Sequence, residues 1–139
     1  MSGNSYNNKI EKVKMKNDKE NFKIEFKRRI YKFILQLIKI TELLEDKKTV
    51  DRIFIGQIIR SVTSIGANYI EAQAASSKKD FINFIHHSLK SANETKFWLA
   101  LIRDTNKLPK EKVNELLSEL IEISNILGAS LLTLKGKRN

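Results

Sequence analysis

The sequence predicts an all-α protein, an antiparallel up-down-up-down bundle of four helices. Three observations predict it. Apolar residues recur at three- and four-residue steps through most of the chain, and no alternating stretch competes with them. Only one Pro and five Gly interrupt 139 residues, which suits long helices with short connections. The length fits a single domain, and 41% of the residues are hydrophobic, enough for one core.

Taken in order, residues 1–20 (MSGNSYNNKIEKVKMKNDKE) are polar and lack an apolar period, so they read as a basic flexible arm. They also lack the apolar stretch of a secretory signal. The bundle then occupies 21–135. Its first helix runs from about Phe22 to Leu44 on a stripe of Phe26, Ile30, Phe33, Ile34, Leu37, Ile40 and Leu44. Glu45-Asp46-Lys47-Lys48 breaks it. A second helix opens near Asp51, an anion suited to a first turn, and reaches about Ala75. Ser77 with Asp80 three residues later forms a capping box for the third helix, which extends to about Arg103. Leu108-Pro109-Lys110-Glu111 opens the fourth, with Pro tolerated at the start. Its stripe is Val113, Leu116, Leu117, Leu120, Ser124, Leu127 and Leu131. Gly128 inside that stripe costs about 1 kcal/mol relative to Ala, which predicts close packing there. Gly136 ends the helix, and 136–139 form a basic tail.

Two helices carry unusual second faces. On the second, Ile55, Ile58, Val62, Ile65, Tyr69 and Ala72 point to the core. The opposite side carries Arg60, Ser64, Ala67, Glu71 and Ala75, flanked by Gln57, Ser61 and Asn68. Small residues there admit another backbone. Arg60 and Glu71 are too far apart to pair with each other, so each needs a partner from elsewhere. On the third helix the core stripe is Phe81, Ile85, Ser88, Ala92, Thr95, Leu99 and Ile102, while Lys90, Glu94, Phe97 and Leu101 lie behind it, with Trp98 at the edge. Phe97 and Leu101, one turn apart on an outer face, read as an interface with another subunit. The alternative is a wheel turned so that both plug the core.

The chemistry of the chain excludes more than it offers. No Cys means no disulfide, no thiolate nucleophile and no Cys-based zinc motif, and the expected location is cytoplasmic. No run of eighteen apolar residues predicts a membrane span, so no membrane partner is expected. His86 and His87 point about 100° apart and do not converge on a metal. No phosphate-binding Gly loop, zinc finger or aromatic RNA-binding stretch is present. No enzyme activity and no cofactor are expected. The net charge of +10 predicts attraction to polyanions, RNA foremost. In an up-down bundle one end would gather Lys23 with Lys27, Arg28, Arg29, Lys78, Lys79, Lys135, Lys137 and Arg138, and these last eight are the predicted nucleic-acid contacts. Two alternatives compete with that basic end: binding by the arm alone, through Lys9, Lys12, Lys14, Lys16 and Lys19, and a structural oligomer or protein adaptor with no nucleic-acid role.

The stretch Gln57-Ile58-Ile59-Arg60-Ser61, then Ser64-Ile65-Gly66-Ala67-Asn68-Tyr69-Ile70-Glu71-Ala72, Ser77-Lys78-Lys79-Asp80-Phe81, Ser91, Glu94 and Trp98-Leu99 resembles the four-helix-bundle family of 23S ribosomal RNA intervening-sequence proteins. The resemblance covers about residues 22–135. It implies a bundle that assembles into a ring-like homopentamer, encoded in some members within an insertion in a ribosomal RNA gene. A related branch, the accessory proteins of diversity-generating retroelements, implies nucleic acid and a reverse transcriptase as partners. It further implies that Ser61, Ser64, Ala67, Asn68 and Glu71 meet the third helix or a neighbouring subunit, with Glu94 as a polar partner. The chain has Gly66 where many members have Pro, and Ala72-Gln73 where many have a Gly.

Overall fold

The computed structural model describes residues 2–136, and these form four helices with no strand among them. They are α1 (Ser2–Thr41), α2 (Thr49–Gln73), α3 (Lys78–Asp104) and α4 (Lys110–Gly136). The largest departure from the sequence reading is at the start. Residues 2–20, expected as a flexible arm, are the first half of a 40-residue helix. Lys, Glu and Met are good helix formers, and a helix already nucleated by packing from Phe26 onward propagates back through them at little cost. Every residue from 3 to 25 is exposed, so no burial specifies this stretch. The Lys137-Arg138-Asn139 tail lies outside the described residues.

α2 and α3 meet in reversed order along the chain. Ser61, Ser64 and Ile65 of α2 meet Thr95, Ser91 and Ser88 of α3. Phe26 of α1 packs edge-on against Tyr69 of α2 at 5.2 Å between ring centres. Arg29 of α1 reaches Glu119 and Glu122 of α4. The core follows the predicted stripes, with Phe33, Leu37, Ile58, Ile65, Leu99, Ile102, Leu120 and Leu127 fully enclosed. Phe54 and Ile123 are buried in addition, while Ile34, Ile55, Phe81 and Leu117 are only half-buried at its edges. α4 is apolar enough by composition to cross a membrane, but its buried residues face the other helices.

The ends follow local rules. The Ser77 hydroxyl accepts from the Asp80 backbone N–H at 3.1 Å, forming the expected cap of α3. After α3, Asn106 adopts φ 57°, a left-handed conformation that Asn tolerates, and the Lys107 N–H returns to the Ile102 carbonyl at 3.1 Å. This turn aims Lys107 at Asp51, which is almost wholly buried at the start of α2. Lys107 Nζ sits 3.0 Å from Asp51 Oδ1, and the Glu45 N–H donates to Oδ2 at 3.1 Å. One carboxylate thereby ties the α1–α2 turn to the α3–α4 turn.

Glycine positions split. A Cβ at Gly66 would lie 2.8 Å from Ile34 Cδ1, so Gly66 marks where α1 crosses α2 closely. A Cβ at Gly128 would meet nothing within 4 Å, so the expected tight packing there is corrected.

Candidate functional site

Two surfaces carry the residues singled out by sequence. The first is the face shared by α2 and α3. α2 turns small hydroxyl residues toward α3, and α3 answers in kind, so the two backbones approach and the hydroxyls pair. The Thr95 hydroxyl lies 2.9 Å from that of Ser61 and 2.7 Å from the Ser91 carbonyl. Ser91 donates to Ser64 at 2.9 Å, and the Asn68 amide donates to the Ser64 hydroxyl at 2.9 Å. Ser88 donates to the Ile65 carbonyl at 2.8 Å. Outside this ladder, Arg60 holds Glu94 across the seam and Gln57 at 3.0 Å on its own helix. Ser61 is therefore core, and Ser64, Arg60 and Glu94 have partners within the chain. Ala67 and Glu71 face solvent. His87 and Lys90 border the shallow polar cleft between Ser64 and Glu94, and no convergent metal-ligand group occurs among the described residues.

The outer apolar pair divides. Phe97 is 58% exposed and stands edge-on to Trp98, with ring centres 5.1 Å apart. Leu101 instead packs against the core, so a single solvent-facing pair is not what the structure holds. Trp98 is half-buried and leans on Phe54 at 6.2 Å.

The second surface is the bundle end where α1 passes the α2–α3 turn and the end of α4. An open cleft of about 640 Å³ lies there, bounded by Lys19, Lys23, Phe22, Gln73, Phe81 and Leu134. Lys78 and Lys79 open α3 at this end and Lys135 closes α4, all exposed and without an ion-pair partner among the described residues. The Lys27-Arg28-Arg29 triplet does not join them as one patch. Successive helical residues diverge by about 100°. Lys27 lies toward Gly66 and Ile70, Arg28 pairs with Glu25 at 2.6 Å, and Arg29 turns to α4. There Arg29 Nε donates to Glu119 at 2.8 Å, and Glu122 completes the clamp. That hydrogen bond to Glu119 is the main reason its guanidinium pKa is raised. Glu122 lies roughly 20 Å from the end of α4 at 1.5 Å per residue, so Arg29 is a strut on the flank. The expected contacts Lys137 and Arg138 lie outside the described residues.

Sequence reasoning missed Asp51 as a clamp and the extent of α1. Asp51 looked like any first-turn anion, because the tertiary approach of Lys107 leaves no local signal.

The 23S rRNA-intervening sequence protein model matches residues 23–129. Among solved structures, the chain is similar to a protein with unknown function from the S23 ribosomal protein family of Bacteroides thetaiotaomicron VPI-5482. The identity is 35%, the TM-score 0.70, and the likeness covers 76% of this chain and 97% of that one. No curated protein matches the sequence. With the family model covering most of the helical region and a relative sharing its fold at that identity, this chain belongs to the 23S rRNA-intervening sequence protein family.

Proposed function

We propose that the protein is a non-enzymatic antiparallel up-down-up-down bundle that associates with nucleic acid, RNA foremost, through a basic end surface, and that it works as a ring-like homo-oligomer, a pentamer. The reading extends to a cytoplasmic accessory role beside a ribosomal RNA insertion or a retroelement, with a reverse transcriptase as the partner in the second case. The observation that carries it is the cluster of unpaired Lys78, Lys79 and Lys135 at one end of a protein with net charge +10. Lysines without carboxylate partners leave their field free for phosphates, and ring copies presenting the same end would release many counterions together. Such contacts position a polyanion without reading its sequence.

The test is fluorescence anisotropy with labelled RNAs of unrelated sequence across a salt series. Binding of similar strength to all of them, weakening steeply with salt, is expected. No binding at low salt would end the nucleic-acid reading.

The second reading, a protein-binding or purely structural oligomer, is favoured by the exposed Phe97 ring. Phe97→Glu should dissociate the assembly in light scattering while helicity is retained. A monomeric parent protein would remove the oligomer from both readings.

A further inference from the structure

α1 carries most of the charge of the molecule. Between Ser2 and Thr41 it holds eleven Lys and Arg against four Asp and Glu, hence +7 of the total +10. The family match begins at residue 23, so the first half of this helix lies outside it.

The charges on that half are sorted by face. Lys9, Lys12, Lys16, Lys19 and Lys23 follow one another at steps of three and four residues, so they stack along one side. Glu11, Asp18 and Glu25 recur every seven residues roughly 140° round the helix from the lysines, with Asp18 bordering the cleft at the bundle end, and Lys14 lies on the side opposite the lysines. Glu20 borders the lysine face and lies 3.7 Å from Lys23. The phase of this stripe follows from the same helix farther on. Phe26, Ile30, Phe33 and Leu37 are buried against the bundle. Counting back from them at about 100° per residue, Lys12 and Lys19 point in nearly the same direction, and Lys9 and Lys16 lie roughly 70–90° to one side of it.

The helix also overshoots. Asp18 and Lys19 stand beside Thr133 and Leu134, close to the end of α4, so residues 2–15 extend past the bundle by about 20 Å at 1.5 Å per residue. The overhang therefore turns its lysine face across the bundle end that bears Lys78, Lys79 and Lys135. All of these lysines are exposed.

We infer that the overhanging half of α1 and the bundle end form the two walls of one basic corner, and that this corner holds the sugar-phosphate backbone of a nucleic acid. This rests on the nucleic-acid reading above and assigns its principal contacts to Lys9, Lys12, Lys16 and Lys19. The stripe suits a polyanion better than a lipid surface. A helix lying in a membrane interface needs a continuous apolar face. Here the exposed apolar residues Tyr6, Ile10 and Val13 share one side of the helix with Asn17 and Glu20, which interrupt it.

The test uses the full chain, a labelled RNA hairpin and a labelled single strand. Changing Lys9, Lys12, Lys16 and Lys19 together to Gln should weaken binding at least roughly tenfold. It should also flatten the slope of log affinity against log salt by roughly 3, because each phosphate contact contributes about 0.7–0.9 to that slope. The same four changed to Arg should retain binding, which separates loss of charge from loss of helix. Lys14→Gln, on the opposite face, should leave the slope nearly unchanged. If the fourfold Gln variant binds with the affinity and slope of the parent, the corner is wrong. If in addition Lys78, Lys79 and Lys135 changed to Gln abolish binding, the basic-end reading survives without the overhang. A parent that binds neither RNA sinks both. Binding to vesicles containing phosphatidylserine, with no RNA binding, would overturn the corner in favour of a lipid surface.

Discussion

α2 and α3 are held together by small side chains, and α1 is held by large ones. Across the α2–α3 seam Ser61, Ser88, Ala92 and Thr95 are all 0% exposed, with Thr95 paired to Ser61 and Ser88 to the Ile65 carbonyl. Across the α1 contacts Phe26, Ile30, Phe33 and Leu37 reach inward as large apolar side chains, with Gly66 of α2 making room for Ile34. The two solutions differ in what they tolerate. A seam of hydroxyls and methyls fixes the distance between two backbones, so added volume has nowhere to go. A helix docked by long side chains over half its length leaves its other half free to evolve as surface. The same chain thus holds one closely packed helix pair and one helix whose first half is exposed.

Adding volume to the seam is the strongest way to break this comparison. Ser61→Leu should cost about 3 kcal/mol, because overpacking a close helix contact must push α2 and α3 apart. Thermal or urea unfolding measures it, and a loss smaller than that of a surface substitution would show that the seam is not close-packed. Removing a hydroxyl is milder. Thr95→Val keeps the volume but takes a partner from buried Ser61, which should cost about 1 kcal/mol. The Ser61 hydroxyl still reaches the Ile58 carbonyl at 3.2 Å, and that contact limits the loss.

Asp51 tests the far end of the bundle through pH. The Lys107 hydrogen bond, aided by the Glu45 N–H and the Lys107 and Lys48 charges, holds the Asp51 carboxyl below its ordinary value, against the opposing effect of desolvation. A depressed carboxylate stabilises the fold fully above the unfolded-state pKa, and the contribution is lost as pH falls through the folded-state pKa. The parent should therefore lose stability in the acid range, and Asp51→Asn should flatten that part of the profile. An unchanged acid limb in the variant would assign it to other carboxylates.

How much of this was legible in the sequence depends on where the determining contacts lie. The stripes of α2, α3 and α4 and the Ser77 cap were readable because periodicity and capping are local. The Ser, Ala and Gly on the back of α2 announced a close neighbour, and for Ser61 and Ser64 that neighbour is α3. Whether α3 or a second subunit would supply it was not encoded locally. Arg29 illustrates the limit. It stood in a run of three basic residues, yet a pair of α4 carboxylates ninety or so positions away engages it. The first half of α1 failed as a prediction for another reason. Apolar periodicity signals burial, and residues 3–25 of this helix are all exposed.

That last point gives the smallest expected effect. Deleting residues 1–20 should leave the unfolding free energy of the bundle within about 0.5 kcal/mol of the parent, since surface changes remote from caps, cores and ion pairs rarely exceed that. Among the described residues the deletion removes no buried side chain, because residues 3–25 are exposed and Phe26 is the first of α1 in the core. It also removes no inter-helix ion pair, because the first such contact of α1 is Arg29 with α4. An exposed helical extension is held only by its own propagation from the packed part and frays from its free end. Amides of residues 3–20 should therefore exchange with solvent far faster than those of the α2–α3 seam, with protection rising from Phe22 into Phe33. Uniform slow exchange along the whole of α1, or a marked loss of stability on deletion, would mean that the overhang is packed against something. The partition into a close-packed seam and an exposed helical extension would then have to be redrawn.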